Sequence, residues 1–188
     1  MNRREALSSV ALLLGGTILG AEAFLTGCKT KSEAGLVFSP GDISFMDEVA
    51  ETILPTTTGS PGAKAAKVGD FMSVIVRDCY EEKDQKIFFD GIKKLDEASK
   101  AKNSKNFLDS NEKERHDLLV ALDTEQKEYQ KNKKADQPNH YFRMMKELTL
   151  WGYFSSEVGA TKALRYVAVP GKYEGCIDYK KGDKAWAT

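Results

Sequence analysis

The sequence predicts an all-α fold: an irregular helical bundle of about five helices with long loops and a coil C-terminal tail. Three observations point to it. Apolar residues recur at three- and four-residue spacing in segment after segment. No two alternating apolar and polar runs lie close enough to pair as strands. The breaks between the apolar segments are rich in proline, glycine, lysine and hydroxyl residues.

The chain begins with a short basic stretch carrying Arg3 and Arg4, followed by the apolar run Val10 to Ala21, which Glu22 interrupts. That order is the layout of a cleavable signal peptide over residues 1–27. The run is shorter than the roughly 20 residues a spanning helix needs. Leu25-Thr26-Gly27-Cys28 then has the form of a bacterial lipobox, with Cys28 as the residue that receives lipid. Acyl chains contribute about 0.8 kcal/mol per buried methylene, so two or more of them anchor a protein stably. Arg3-Arg4 with Leu7 also resembles a twin-arginine export signal, although Ala6 stands where that pattern has Phe, and paired basic residues occur in ordinary signals too.

Residues 28–41 read as a lipidated tether and residues 42–188 as a single domain. In that domain Met46, Val49, Ala50, Ile53 and Leu54 share one helical face, and Pro55 stops the helix. Pro55 to Gly62, with two prolines, two glycines and four hydroxyl residues, reads as a loop. Val68, Phe71, Met72, Ile75, Val76, Cys79 and Tyr80 form the cleanest amphipathic stripe. Phe88, Gly91, Ile92 and Leu95 mark a third helix, followed by a lysine-rich linker from Ser99 to Asn106.

Asp109-Ser110-Asn111-Glu112 resembles a capping box, opening a fourth helix with Leu118, Leu119 and Leu122 inward. Its polar tail, Glu125 to Gln137, reads as a solvated extension. Tyr141, Met144, Met145, Leu148 and Trp151 make a fifth apolar face. One more short helix is expected over Ser156 to Leu164, with a turn at Val169-Pro170-Gly171 and coil through Cys176 to Trp186.

The sequence carries 28 basic and 28 acidic residues, so nothing in its charge points to nucleic acid. Candidate chemistry is sparse. Gly59 and Gly62 follow no strand, so no nucleotide cradle is indicated, and there is no Gly-x-Ser-x-Gly elbow. His116 and His140 each lack a second ligand at helical spacing, which argues against a metal centre. Asp47, Glu48 and Glu51 read as solvated charge on the outer face of the first helix. No catalytic, cofactor-binding or metal-ligating residue is assigned.

Cys79 and Cys176 remain beside Cys28. In an oxidising compartment they can pair as a disulfide, the expectation taken here, or stand apart as small buried hydrophobes. Leu148 to Phe154 sets large apolar side chains around Gly152, either an ordinary core or in part a partner contact through Trp151, Tyr153 and Phe154.

Three blocks together are similar to a known family: Val49-Ala-Glu-Thr-Ile-Leu-Pro-Thr56 with Ser60 to Val68; Gly152-Tyr-Phe-Ser-Ser-Glu-Val-Gly-Ala160; and Leu164-Arg-Tyr-Val-Ala-Val-Pro-Gly-Lys-Tyr-Glu-Gly175. Their order and spacing resemble subunit 3, the gamma subunit, of gluconate 2-dehydrogenase. The resemblance implies a small subunit without its own cofactor, bound to a large FAD flavoprotein of the glucose-methanol-choline type, with a cytochrome c often carrying electrons onward. It further implies that the small subunit supplies the export signal and helps the flavoprotein mature. A lipobox is not general in that family, which adds the expectation that this subunit is itself the membrane anchor.

On this reading the loop bearing Pro55, Thr56, Pro61 and Gly62, together with Trp151, Tyr153, Phe154, Pro170 and Gly171, meets the partner. A second reading makes the chain an independent lipoprotein that binds a carbohydrate or cell-envelope component through Trp151, Tyr153 and Tyr173. A free-standing enzyme using Glu157 or Glu174 is the third, and no readable motif places those carboxylates in acid and base roles.

Overall fold

Ser39 opens the first helix. Its hydroxyl accepts from the Asp42 backbone N–H at 3.2 Å, and the Asp42 carboxylate accepts from the Ser39 N–H at 2.8 Å. This reciprocal cap satisfies two orphan donors, and Pro40 supplies a φ suited to the first helical residue. In this computed structural model, which describes Val37 to Ala187 except Pro170 and Tyr173, helix α1 therefore spans Pro40–Ile53. Pro40 and Gly41, assigned above to the tether, form its first turn. Arg3, Arg4, Cys28 and Pro170 lie outside the described residues.

After α1 come a 3-10 turn at Ala63–Ala66, α2 over Val68–Cys79, α3 over Glu82–Asn103, α4 over Glu112–Asn132, α5 over Tyr141–Ser155 and a π-helical turn at Gly159–Ala163. Among the described residues no strand forms, only two isolated bridges. The expected all-α bundle is what the chain builds.

Helix α5 is the central element and, among the described residues, packs against the four other α-helices. It buries Phe142, Met145 and Leu148 at helical spacing, each contributing about 1.5–3 kcal/mol relative to exposure. Helix α2 buries Val68, Met72 and Val76, the i, i+4, i+8 stripe read from the sequence. Gly91 lets α3 cross α5 closely, because a Cβ there would lie 2.6 Å from the Cβ of Tyr141.

Three local expectations are corrected. Helix α3 does not end before Ser99; it continues to Asn103 and stops at Ser104, whose φ of 58° is left-handed. Ser99 is fully buried with its hydroxyl 3.1 Å from that of Ser110, and the lysines around it occupy the exposed side of a continuing helix, for which lysine has good propensity.

The cap of α4 is Asn111 with Glu114, each accepting from the other's backbone N–H at 2.9 Å. Asp109 is unavailable for that role, because it accepts from the Asn106 side chain at 2.9 Å. The polar tail of α4 is not a free extension either. It stays helical through Asn132, buries Gln126, and is met by the returning chain, where the Tyr129 hydroxyl donates to the Pro138 carbonyl at 3.0 Å.

Candidate docking site

The loop between α1 and the 3-10 turn is held from three sides. Thr57 and Ser60 form an antiparallel bridge across its tip. From α1, one Glu51 oxygen accepts from both the N–H and the hydroxyl of Thr56 at 2.9 Å, and the other accepts from the Lys64 N–H at 2.8 Å. From α5, the Tyr153 hydroxyl sits 2.5 Å from the Ser60 hydroxyl and donates to the Pro61 carbonyl at 2.5 Å. A loop so rich in hydroxyls and prolines has no core of its own, and these charged and hydroxyl partners replace one.

The acidic residues of α1 are therefore not simply solvated. Asp47 accepts from the Gly69 N–H at 2.7 Å, anchoring the start of α2. Burial raises the Asp47 carboxyl above its ordinary pKa, while that backbone donor pulls the other way. Glu48 bridges Lys64 at 2.8 Å and the largely buried Arg115 of α4 at 2.7 Å. Its hydrogen bond raises the Lys64 ammonium pKa. Sequence periodicity marks these carboxylates as off the core face but carries no sign of partners 16 or more residues away.

The structure separates the expected contact residues. Pro55 and Thr56 are exposed on the loop, Pro61 is half-buried, and Gly62 is buried against Glu51. Trp151 is 55% exposed and Phe154 38%, whereas Tyr153 is only 3% exposed and works as the strut beneath the loop. Gly171 is exposed in the C-terminal coil. The carbohydrate reading thus loses Tyr153 as an accessible platform, and Tyr173 lies outside the described residues.

Trp151 does not stand alone. Its ring meets Phe71 of α2 edge-on, with centroids 5.2 Å apart and an interplanar angle of 88°. Leu150 and Val74 are exposed on the same two helices. Beside the loop a shallow groove of about 380 Å³ is lined by Thr56 to Pro61, Thr161, Lys162 and Lys184. The loop, the π-helical turn and the C-terminal coil therefore share one end of the domain. The sequence marked the loop and the coil separately, and only the fold joins them.

The remaining candidates for chemistry are engaged structurally. His140 caps α5, its Nδ1 accepting from the Phe142 N–H at 3.2 Å, and burial lowers its pKa against a pull upward from Glu125. His116 is exposed beside Asp117. Among the described residues no three His, Cys, Asp or Glu side chains are grouped to hold a metal. The expected Cys79–Cys176 disulfide is not formed. Cys79 ends α2 and Cys176 lies in the C-terminal coil, both as free, exposed thiols.

Chemically, this arrangement can present a shaped, partly apolar surface. The family model of gluconate 2-dehydrogenase subunit 3 matches residues 40–171, from the first residue of α1 past the π-helical turn. No curated protein and no solved structure matches the chain. The family match takes in each α-helix of the described residues, the clamped loop and the aromatic face, and the chain belongs to the gluconate 2-dehydrogenase subunit 3 family.

Proposed function

We propose that this chain is the exported, lipid-anchored accessory subunit of an FAD-dependent sugar or sugar-acid dehydrogenase, carrying no cofactor and performing no chemistry itself. The observation that carries the reading is family membership across the whole helical domain. The arrangement of polar groups supports it. Asp47, Glu48, Glu51 and Tyr153 are spent on holding the loop and helices in place, while Trp151 and Phe154 remain exposed for contact. FAD resides in a glucose-methanol-choline-type catalytic subunit, from which a cytochrome c can accept electrons.

The signal over residues 1–27 carries the pair out of the cytoplasm, with Arg3-Arg4 selecting a route for folded cargo, and lipid on Cys28 holds it at a membrane. No helix of the described residues is long and apolar enough to cross one, and two or more acyl chains on Cys28 suffice for stable anchoring. Two substitutions test the assignment in the native host. Changing Arg3 and Arg4 to Lys should retain both this chain and its flavoprotein in the cytoplasm, and normal export of the pair rejects the folded-export route. Cys28→Ala should release the complex from the membrane fraction, and a complex that stays bound has another anchor.

A further inference from the structure

The turn that leads into α5 is fastened by a titratable side chain. His140, whose side chain is 10% exposed, lies against the rings of Tyr129 of α4 and Tyr141, with centroids 5.6 and 4.5 Å away. Both of its ring nitrogens are engaged. Nδ1 accepts from the Phe142 N–H at 3.2 Å, and Nε2 stands 3.5 Å from a Glu125 oxygen on α4. An imidazole nitrogen that accepts carries no proton, so this geometry fixes the neutral tautomer with its hydrogen on Nε2.

The segment returning from α4 is tied down beside this cap. The Tyr129 hydroxyl donates to the Pro138 carbonyl and the Gln130 side chain donates to Asn139 Oδ1, both at 3.0 Å. Just past His140, Tyr141 lies against Gly91 of α3, where a Cβ would stand 2.6 Å from its own, and Phe142 is buried. The cap therefore sits where α3, α4 and α5 meet. Lys133 and Gln137 to Asn139, all in the returning segment, line a cavity of about 460 Å³ together with Tyr80 and Asp84 from the turn between α2 and α3.

We propose that His140 is an acid-released clasp, in which protonation at Nδ1 breaks the cap of α5 and frees residues 133–140 from the helix junction, opening the cavity on that side. The proton comes from solvent, and no other bond changes. The new Nδ1–H then faces the Phe142 N–H, donor against donor, so the ring must turn away. An imidazolium at this position also meets the positive end of the α5 dipole. The inference stands apart from the accessory-subunit reading and does not depend on it.

The groups around the ring set the direction. Burial is the largest influence and lowers the His140 pKa; Glu125 pulls it upward, while Lys94 of α3 adds to the lowering. Tyr141, pushed up to about 12 by burial, stays uncharged beside it, and the Tyr129 hydroxyl is committed to Pro138. With the folded pKa below the unfolded one, the contribution of the cap is fully present above the ordinary histidine value. It is lost as pH falls through that value to the lower folded one.

The test follows the full chain in detergent from about pH 8 to 5, the range in which histidine titrates. Hydrogen exchange is expressed as protection factors, which cancels the intrinsic pH dependence of exchange, and α2 serves as the internal reference. Protection of the Phe142 N–H should fall about fivefold, the equivalent of losing one N-cap, with residues 133–140 following and α2 unchanged. The chain has two histidines, so isotope-labelled histidine resolves each ring by NMR. His140 should show a bare Nδ1 at high pH, and its titration should share a midpoint with the loss of protection. His140→Asn keeps a capping oxygen without titrating and should stay protected throughout, whereas His116→Gln should behave as wild type. Separate midpoints, an Nδ1 that carries hydrogen at high pH, or an acid loss undiminished in His140→Asn overturns the proposal. A loss that includes α2 equally is general acid unfolding and overturns it too. Should the Asn variant fail to fold, the two wild-type midpoints decide alone.

Discussion

The hydroxyl of Tyr153, near the end of α5, lies 2.5 Å from that of Ser60, 93 residues earlier in the chain. This contact joins the central helix to the hydroxyl-rich loop, and the same Tyr153 oxygen also donates to the Pro61 carbonyl. Removing it by Tyr153→Phe leaves the buried ring in place, takes away both hydroxyl contacts and leaves the Pro61 carbonyl with only the Ser60 hydroxyl, at 3.2 Å, as donor. A loss of about 1 kcal/mol is expected, read as a fall of about 2–4 °C in the thermal midpoint for a domain of this size.

Glu51→Ala removes three accepted hydrogen bonds at once, two from Thr56 and one from Lys64. Hydrogen bonds to a charged group contribute about 1.5–3 kcal/mol, so a cost near 2 kcal/mol is expected. Limited proteolysis distinguishes this from a general effect. Cleavage between residues 55 and 62 should accelerate more than cleavage elsewhere, and uniform acceleration would show that Glu51 does not hold the loop.

Gly152→Ala tests the close approach of α5 to α2. A Cβ at Gly152 would lie 2.6 Å from the Phe71 ring, which must then leave its edge-on contact with Trp151. A cost of about 1–3 kcal/mol follows from overpacking. In a Phe71→Ala background the same change should cost markedly less, because the two residues share the strain.

Asp123 gives the domain a defined acid dependence. Burial opposes its charge, but hydrogen bonds from Lys127, Lys146 and Gln126 outweigh that and hold the pKa down at about 2; the Lys146 contact is 2.6 Å and joins α4 to α5. A folded pKa below the unfolded value of about 3.9 means that the stabilisation is fully present above roughly pH 4 and is lost as pH falls toward 2. Asp123→Asn should cost about 2 kcal/mol at neutral pH. In urea unfolding, the gap between variant and wild type should narrow across that acid window, and a constant gap contradicts the assignment.

The sequence made the helices with strong stripes legible. Val68, Met72 and Val76 on α2, and Tyr141, Met145 and Leu148 on α5, lie inward as their spacing demands. Less was legible where a single residue carries the packing. Phe107, isolated between Lys105 and Asp109, belongs to no periodic run, yet it is fully buried with its ring 5.2 Å from that of Phe45, and its N–H donates to Asp96 at 2.8 Å. A lone large aromatic in a charged stretch was the available signal.

At the loop end of the domain, the loop was legible through its prolines and hydroxyls, but its fastening was not. Glu48 and Glu51 find their partners by tertiary approach, which residue spacing along one helix does not encode. Tyr153 belongs to the same aromatic run as Trp151 and Phe154, and only its hydroxyl contacts decide that it turns inward while they stay outward. The Arg165 guanidinium stacks 4.0 Å from the centroid of the Trp186 ring, a contact between residues whose separation carries no periodic signature at all.

The central claim is that this chain acts through a catalytic partner. Its most direct test is to purify the tagged chain from native membranes in mild detergent and record the flavin absorption spectrum and subunit composition of the product. The account predicts a stable complex with a flavin-bearing subunit that oxidises a sugar or sugar acid. Recovery of the chain alone, free of flavin, or turnover by the chain without any partner, would contradict it.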